Sequence, residues 1–127
     1  MRFHYEAESA AGLCMTDYEN TVIEIARERR KYFDNPAYYA RLIKDLLGFK
    51  DLEVLLFGSV VEGQCTMASD IDLVIISDEI PSGLDERAKL LNRINDALGQ
   101  YHPFELHLIT TKEFQWYKRF IKTAIKI

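Results

Sequence analysis

Two stretches decide the reading of this chain: Leu56-Phe57-Gly58-Ser59 and, ten residues later, Asp70-Ile71-Asp72-Leu73-Val74-Ile75-Ile76. From Ile71 on, every residue of the second stretch except Asp72 is apolar. A strand apolar on both alternating faces is covered on both sides. Asp70 and Asp72 then share one face, roughly 7 Å apart along the strand. Two carboxylates on one face of a covered strand repel each other and resist desolvation, so a cationic partner is expected. A divalent metal meets that need, and Mg²⁺ suits hard oxygen ligands in an octahedral frame. The plainer alternative is a strand that simply opens from a solvated loop. The first stretch closes an apolar strand over residues 52–57. Gly58 permits positive φ and close approach of backbone to a ligand. Ser59 adds a hydroxyl and an amide at the start of a turn, a common way to cradle phosphate.

A third stretch, Phe104-Glu105-Leu106-His107-Leu108-Ile109, follows Pro103. Alternation puts Phe104, Leu106 and Leu108 on one face and Glu105 and His107 on the other. If this strand pairs beside residues 70–76, Glu105 faces the two aspartates and three carboxylates converge. The alternative for Glu105 is the polar face of an edge strand. His107 either orients an acceptor or shuttles a proton, or is a hydrogen-bonded strand histidine.

Together these residues resemble the signature of the DNA polymerase β-like nucleotidyltransferase superfamily, over roughly residues 52–109. In size the chain is similar to the minimal members, and the spacing resembles the antitoxins paired with all-helical HEPN toxins. The resemblance implies an α/β (α+β) fold, a small mixed sheet flanked by helices. It implies that Gly58 and Ser59 hold the triphosphate and that Asp70 and Asp72 bind two Mg²⁺ ions. Glu105 matches the third carboxylate, both metal-binding and catalytic, which helps deprotonate the acceptor hydroxyl. The implied reaction moves a nucleoside monophosphate, AMP from Mg-ATP, to a hydroxyl, such as a tyrosine of a partner toxin, with release of pyrophosphate. One departure stands out. Many members continue Gly-Ser with x-Ala-Arg-Gly, whereas this chain has Val60-Val61-Glu62-Gly63. An anion replaces a common cation, which keeps open a catalytically weak, partner-neutralising module of the same fold.

Outside this core the periodicity predicts helices. Thr16 and Glu19 form a capping-box pattern ahead of Tyr18, Val22, Ile25, Ala26 and Phe33, for a helix to about residue 31. Asn35-Pro36 opens a second helix, with Tyr39, Leu42, Ile43, Leu46 and Leu47 as its stripe and Gly48 as its stop. A third spans residues 84–98, with Leu84, Ala88, Leu91, Ile94 and Leu98 inward and Gly99 at its end. Thr110 and Glu113 cap a final helix through about residue 122. Residues 1–15 read as a poorly patterned arm, with Met15 an alternative start, and residues 16–127 as a single nucleotidyltransferase domain.

Composition sets outer bounds. The 127 residues are 48% hydrophobic and 28% charged, a globular balance that excludes disorder and collagen-like repeats. A net charge of −4 argues against nonspecific nucleic-acid coating, which needs cationic charge. Cys14 and Cys65 form no CxxC and read as free thiols. No apolar run approaches a membrane span or a secretory signal, so a cytoplasmic location is expected. The last helix interleaves Phe114, Trp116, Tyr117, Phe120 and Ile121 with Lys112, Lys118, Arg119 and Lys122. Residues 112–122 are therefore expected to form an interface, with a helical toxin-like partner or a second copy. The alternative is packing of Trp116 and Phe120 onto the first two helices.

Overall fold

The computed structural model describes residues 17–58, 61, 70–121 and 123–127. Elements run α1 (Asp17–Asp34), α2 (Pro36–Leu47), β1 (Glu53–Phe57), β2 (Ile71–Ile76), α3 (Leu84–Leu98), β3 (Phe104–Ile109), α4 (Thr111–Tyr117), a 3₁₀ turn (Lys118–Phe120) and β4 (Ala124–Lys126). The four strands form one mixed sheet in the order β3-β2-β1-β4. β1 pairs antiparallel with both β2 and β4, while β2 and β3 run parallel. The parallel pair is joined through α3, as a parallel connection requires a crossover.

Alternation divides the sheet into two unlike faces. Val54, Leu56, Ile71, Leu73, Ile75, Phe104 and Leu108 point to the helical side, where Tyr32, Ala40, Ile43, Leu90 and Ile94 complete the main core. On the opposite face Val74, Ile76 and Ile109 meet Phe114, Tyr117 and Ile121. The central position of β2 follows from its sequence: Ile71 and residues 73–76 are all buried, and Asp72 alone is half-buried.

Local signals set several boundaries. The Asn35 side chain accepts from the Tyr38 amide at 3.3 Å, and Gly48 closes α2 in the left-handed conformation with φ 65°. α3 spans the expected 84–98. Thr110 and Glu113 form a reciprocal capping box at α4. The Thr16 half of the first capping box lies outside the described residues, as do Ser59, Glu62, Cys14 and Cys65.

Other expectations need correction. α1 continues to Asp34, and Tyr18 (77% exposed) and Val22 are uncovered; its buried residue is Tyr32. Tyr32 donates to the Leu98 carbonyl and packs against Tyr39 and Phe104, so the helix is anchored by its last turn. In α3, Leu84 is 84% exposed and Ala88 is exposed, while Leu90, Ile94 and Leu98 are buried. The inward stripe is rotated because Arg87 occupies a mostly covered position. The final helix stops at Tyr117 rather than near residue 122, and the chain returns to the sheet as β4. Trp116 and Phe120 do not pack on the first two helices; they are exposed and lean on each other at 4.9 Å.

Arg87 ties three elements together. Its guanidinium donates to the Pro81 carbonyl, to the Leu108 carbonyl at 3.1 Å and to Glu113 at 2.7 Å. The charge-assisted bond holds the Glu113 carboxyl below the usual carboxylate range, with the Thr110 amide adding to the effect. Arg87→Ala is expected to destabilise the chain by about 1–3 kcal/mol, since carbonyls lose a charged donor with little water to replace it. Arg87→Lys should recover only part of this, because an ammonium lacks the planar fork. Urea denaturation of the two variants measures it, and an unchanged midpoint for both would sink the argument.

Candidate active site

The site lies at one end of the sheet, on the face opposite the main core. β2 and β3 are parallel and in register, so Asp72 stands directly beside Glu105. Two residues further along β3, His107 shares that face. Asp72, Glu105 and His107 each offer a ligand atom, and the three atoms lie within 4.8 Å of one another. His107 Nε2 is 3.9 Å from Asp72 Oδ1 and 3.8 Å from Glu105 Oε1. On the other side of Asp72, β1 contributes Phe57, whose ring is 5.7 Å from the imidazole.

Gly58 is where β1 must end. Its φ is +85°, and a Cβ there would sit 2.2 Å from Asp72 Oδ2. Any side chain would collide with the carboxylate and strain the backbone at once. The Gly58 carbonyl then accepts from the Val61 amide at 3.1 Å, starting a tight turn.

Asp72 is electrostatically the most perturbed group of the site. Burial comes first, followed by a hydrogen bond with Glu105, the Glu105 charge and, more weakly, that of Asp70; His107 opposes them. The result is a carboxyl pushed up to about 6. Glu105 itself is exposed, and Asp70 is exposed just before β2. The structure thus brings Asp72, Glu105 and Gly58 together and places Asp70 at the rim, outside the three-donor group. Ser59 lies outside the described residues.

One further partner enters from α4. The Tyr117 hydroxyl is 2.9 Å from His107 Nδ1. Burial, then the charges of Asp72 and Glu105, push the Tyr117 phenol up, so it remains a neutral hydroxyl. The sequence held the aromatic series that contains Tyr117, but nothing in it paired this residue with His107.

The donor set fits a divalent cation. Burial, and then the adjacent Glu105, disfavours the charged form of Asp72, and a nearby counter-charge would offset both. His107 Nε2 is buried and has no hydrogen-bond partner among the described residues, and it faces both acids. Asp72 Oδ2 fills the space that a side chain at residue 58 would take.

The site thus combines acids on adjacent strands of a mixed sheet with a glycine turn beside them. The nucleotidyltransferase domain family model matches residues 39–126, and the chain belongs to that family. A crystal structure described as a nucleotidyltransferase by assignment is 32% identical, with 73% of this chain and 98% of that chain covered and a TM-score of 0.57. A second, from Sulfolobus solfataricus, also a nucleotidyltransferase by assignment, shares 16% identity at a TM-score of 0.51, over 80% of this chain and 84% of that one, a likeness of fold. No curated protein matches the chain. Among the described residues no helix is long and apolar enough to cross a membrane.

The raised Asp72 carboxyl makes metal-free stability pH-dependent. The folded chain holds this proton more tightly than the unfolded chain, whose aspartates titrate near 3.9. Below about pH 4 the group costs nothing; the penalty develops as pH rises towards 6 and is complete above it. A shift of about two units sets a ceiling of roughly 3 kcal/mol. In chelator, Asp72→Asn is expected to exceed the wild type by about 1–3 kcal/mol at pH 7, with no advantage below pH 4. Chemical denaturation at the two pH values checks this; equal stability at neutral pH would remove the assigned strain.

Proposed function

We propose that this chain transfers a nucleoside monophosphate, AMP from ATP, to a hydroxyl acceptor. The observation that carries the reading is the in-register pair Asp72 and Glu105 beside the Gly58 turn. In the reaction the acceptor oxygen bonds to the α-phosphorus, the bond to the bridging oxygen breaks, and pyrophosphate leaves. Gly58, with Ser59 next in the sequence, would receive the triphosphate. Asp72, with Asp70 at the rim and Glu105 beside it, would hold Mg²⁺. Two such ions, when bound, stabilise charge on the attacking and leaving oxygens. Glu105 takes the acceptor proton: it is the exposed acid of the pair, reachable from solvent, whereas Asp72 is tucked against Gly58. The chain itself must orient the reactants and limit water.

Glu105→Gln is expected to slow transfer by about 10²–10⁴-fold with a smaller effect on nucleotide affinity. Asp72→Asn should weaken Mg-ATP binding itself. Pyrophosphate release from ATP, with calorimetry of Mg-ATP binding, separates the two roles. Full turnover by the Glu105 variant would return that residue to an ordinary strand face.

The acceptor in this reading is a tyrosine of a helical, toxin-like protein. Supporting it is the outer side of α4 and the 3₁₀ turn, where Trp116 (58% exposed) and Phe120 (65% exposed) sit among Lys112, Lys118 and Arg119. Residues 111–127 carry a net +4 (five Lys/Arg against Glu113) on a chain of net −4. Such an aromatic and basic patch suits an acidic protein surface. Tyr117, on the same helix as Trp116, touches His107 of the site, so an acceptor held on this patch would lie near Glu105. The double change Trp116→Ala with Arg119→Ala should abolish capture of a helical protein encoded beside this chain, while Mg-ATP affinity stays within about twofold, as for additive distant sites. Undiminished capture would exclude this face.

A further inference from the structure

Among the described residues, the imidazole of His107 is the one group of the site with an unexplained atom. Nδ1 has its partner in the Tyr117 hydroxyl, at 2.9 Å. Nε2 is buried yet has no hydrogen-bond partner, and it stands 3.9 Å from Asp72 Oδ1 and 3.8 Å from Glu105 Oε1. These separations are too long for hydrogen bonds. They exceed the roughly 3.0–3.4 Å between neighbouring donors on one cation by less than about 1 Å, so a small inward movement of the side chains brings them to ligand spacing. A metal-bound histidine also characteristically donates its other ring nitrogen to an oxygen that fixes the ring. Tyr117, a neutral hydroxyl over Nδ1, is such an oxygen.

We propose that His107 is a third protein donor at this site, through Nε2, so that one metal position between Asp72 and Glu105 takes a borderline first-row cation in preference to Mg²⁺. The proposal rests on the nucleotidyltransferase reading and deepens it. Two carboxylates alone suit Mg²⁺, a hard ion that keeps oxygen ligands. An imidazole added to them shifts the balance towards Mn²⁺, Co²⁺ or Zn²⁺, which accept nitrogen and bind mixed N/O sites more tightly. Tyr117 acts through His107: with a cation bound, Nδ1–H would donate to the hydroxyl and leave the Nε2 lone pair for the metal. Asp72 Oδ2 lies beside Gly58, and the site closes by small movements of Glu105 and the imidazole. The sequence carried the elements of this arrangement, since Glu105 and His107 alternate onto one face. It could not show that the ring nitrogen ends between both carboxylates.

The test uses the full chain loaded with Mn²⁺. Pulsed electron paramagnetic resonance should show coupling to a directly bound ¹⁴N, absent in His107→Gln. Calorimetry should give Mn²⁺ an affinity at least about tenfold above that of Mg²⁺ in the wild type. In Tyr117→Phe, which keeps the imidazole, nitrogen coupling should persist while Mn²⁺ affinity falls by about 10–100-fold. Circular dichroism and thermal unfolding confirm that each variant is folded. Because the wild-type spectrum is itself decisive, a misfolded His107 variant does not shelter the proposal. Bound Mn²⁺ without nitrogen coupling, or no Mn²⁺ binding at all, overturns it. Mg²⁺-dependent pyrophosphate release persisting in either case leaves the transferase reading standing, whereas its absence alongside an intact nitrogen signal would sink that reading alone.

Discussion

A half-buried carboxylate near the start of a central strand is the constraint around which this molecule is arranged. Asp72 interrupts an otherwise buried β2, and its Oδ2 occupies the space that a side chain at residue 58 would need. β1 must therefore end in glycine with a positive φ, and the turn beyond it begins where the carboxylate is. On its other side the in-register parallel pairing sets Glu105 next to Asp72. Burial, and after it the neighbouring Glu105, pushes the Asp72 carboxyl up to about 6, an electrostatic demand at one point that a cation would relieve.

The two faces of the sheet divide the work. α1, α2 and α3 cover one face with aliphatic and aromatic side chains, and that face supplies most of the buried apolar area. The other face is covered only by α4 and the residues after it among the described residues, which leaves room for polar groups. The capping box starts α4 directly after β3 and Arg87 grips Glu113 from α3, so the helix is fixed at its first turn. Its far end then brings Tyr117 over His107 while turning Trp116 outward. A seven-residue helix thus has two sides with different purposes: the inner one orients the imidazole, and the outer one presents aromatic and basic groups.

Much of this was legible in the chain because the signals are local. Asn35-Pro36 and Gly48 bound α2 through capping and left-handed geometry, and the alternation in residues 104–109 placed Glu105 and His107 on one face. The apolar run of β2, broken only at Asp72, announced a central strand. Such features depend on a few neighbouring residues, whose backbone preferences and side-chain periods are set before any tertiary contact forms.

What the chain by itself could not express are relations between distant segments. β4 is three exposed residues without a pattern of their own; it is a strand only because β1, some 70 positions earlier, offers an unpaired edge. Helical periodicity alone could not tell that Arg87 would take a covered place and leave Leu84 outside, because that depends on carbonyls from two other segments. Tyr32 is buried by virtue of the Leu98 carbonyl, not of its own helix. In the site, sequence determined which donors exist and which strands carry them. Only the folded sheet decided that Asp72, Glu105 and His107 would converge while Asp70 stayed at the rim, since register, strand order and the Tyr117 contact are set by packing across the whole molecule.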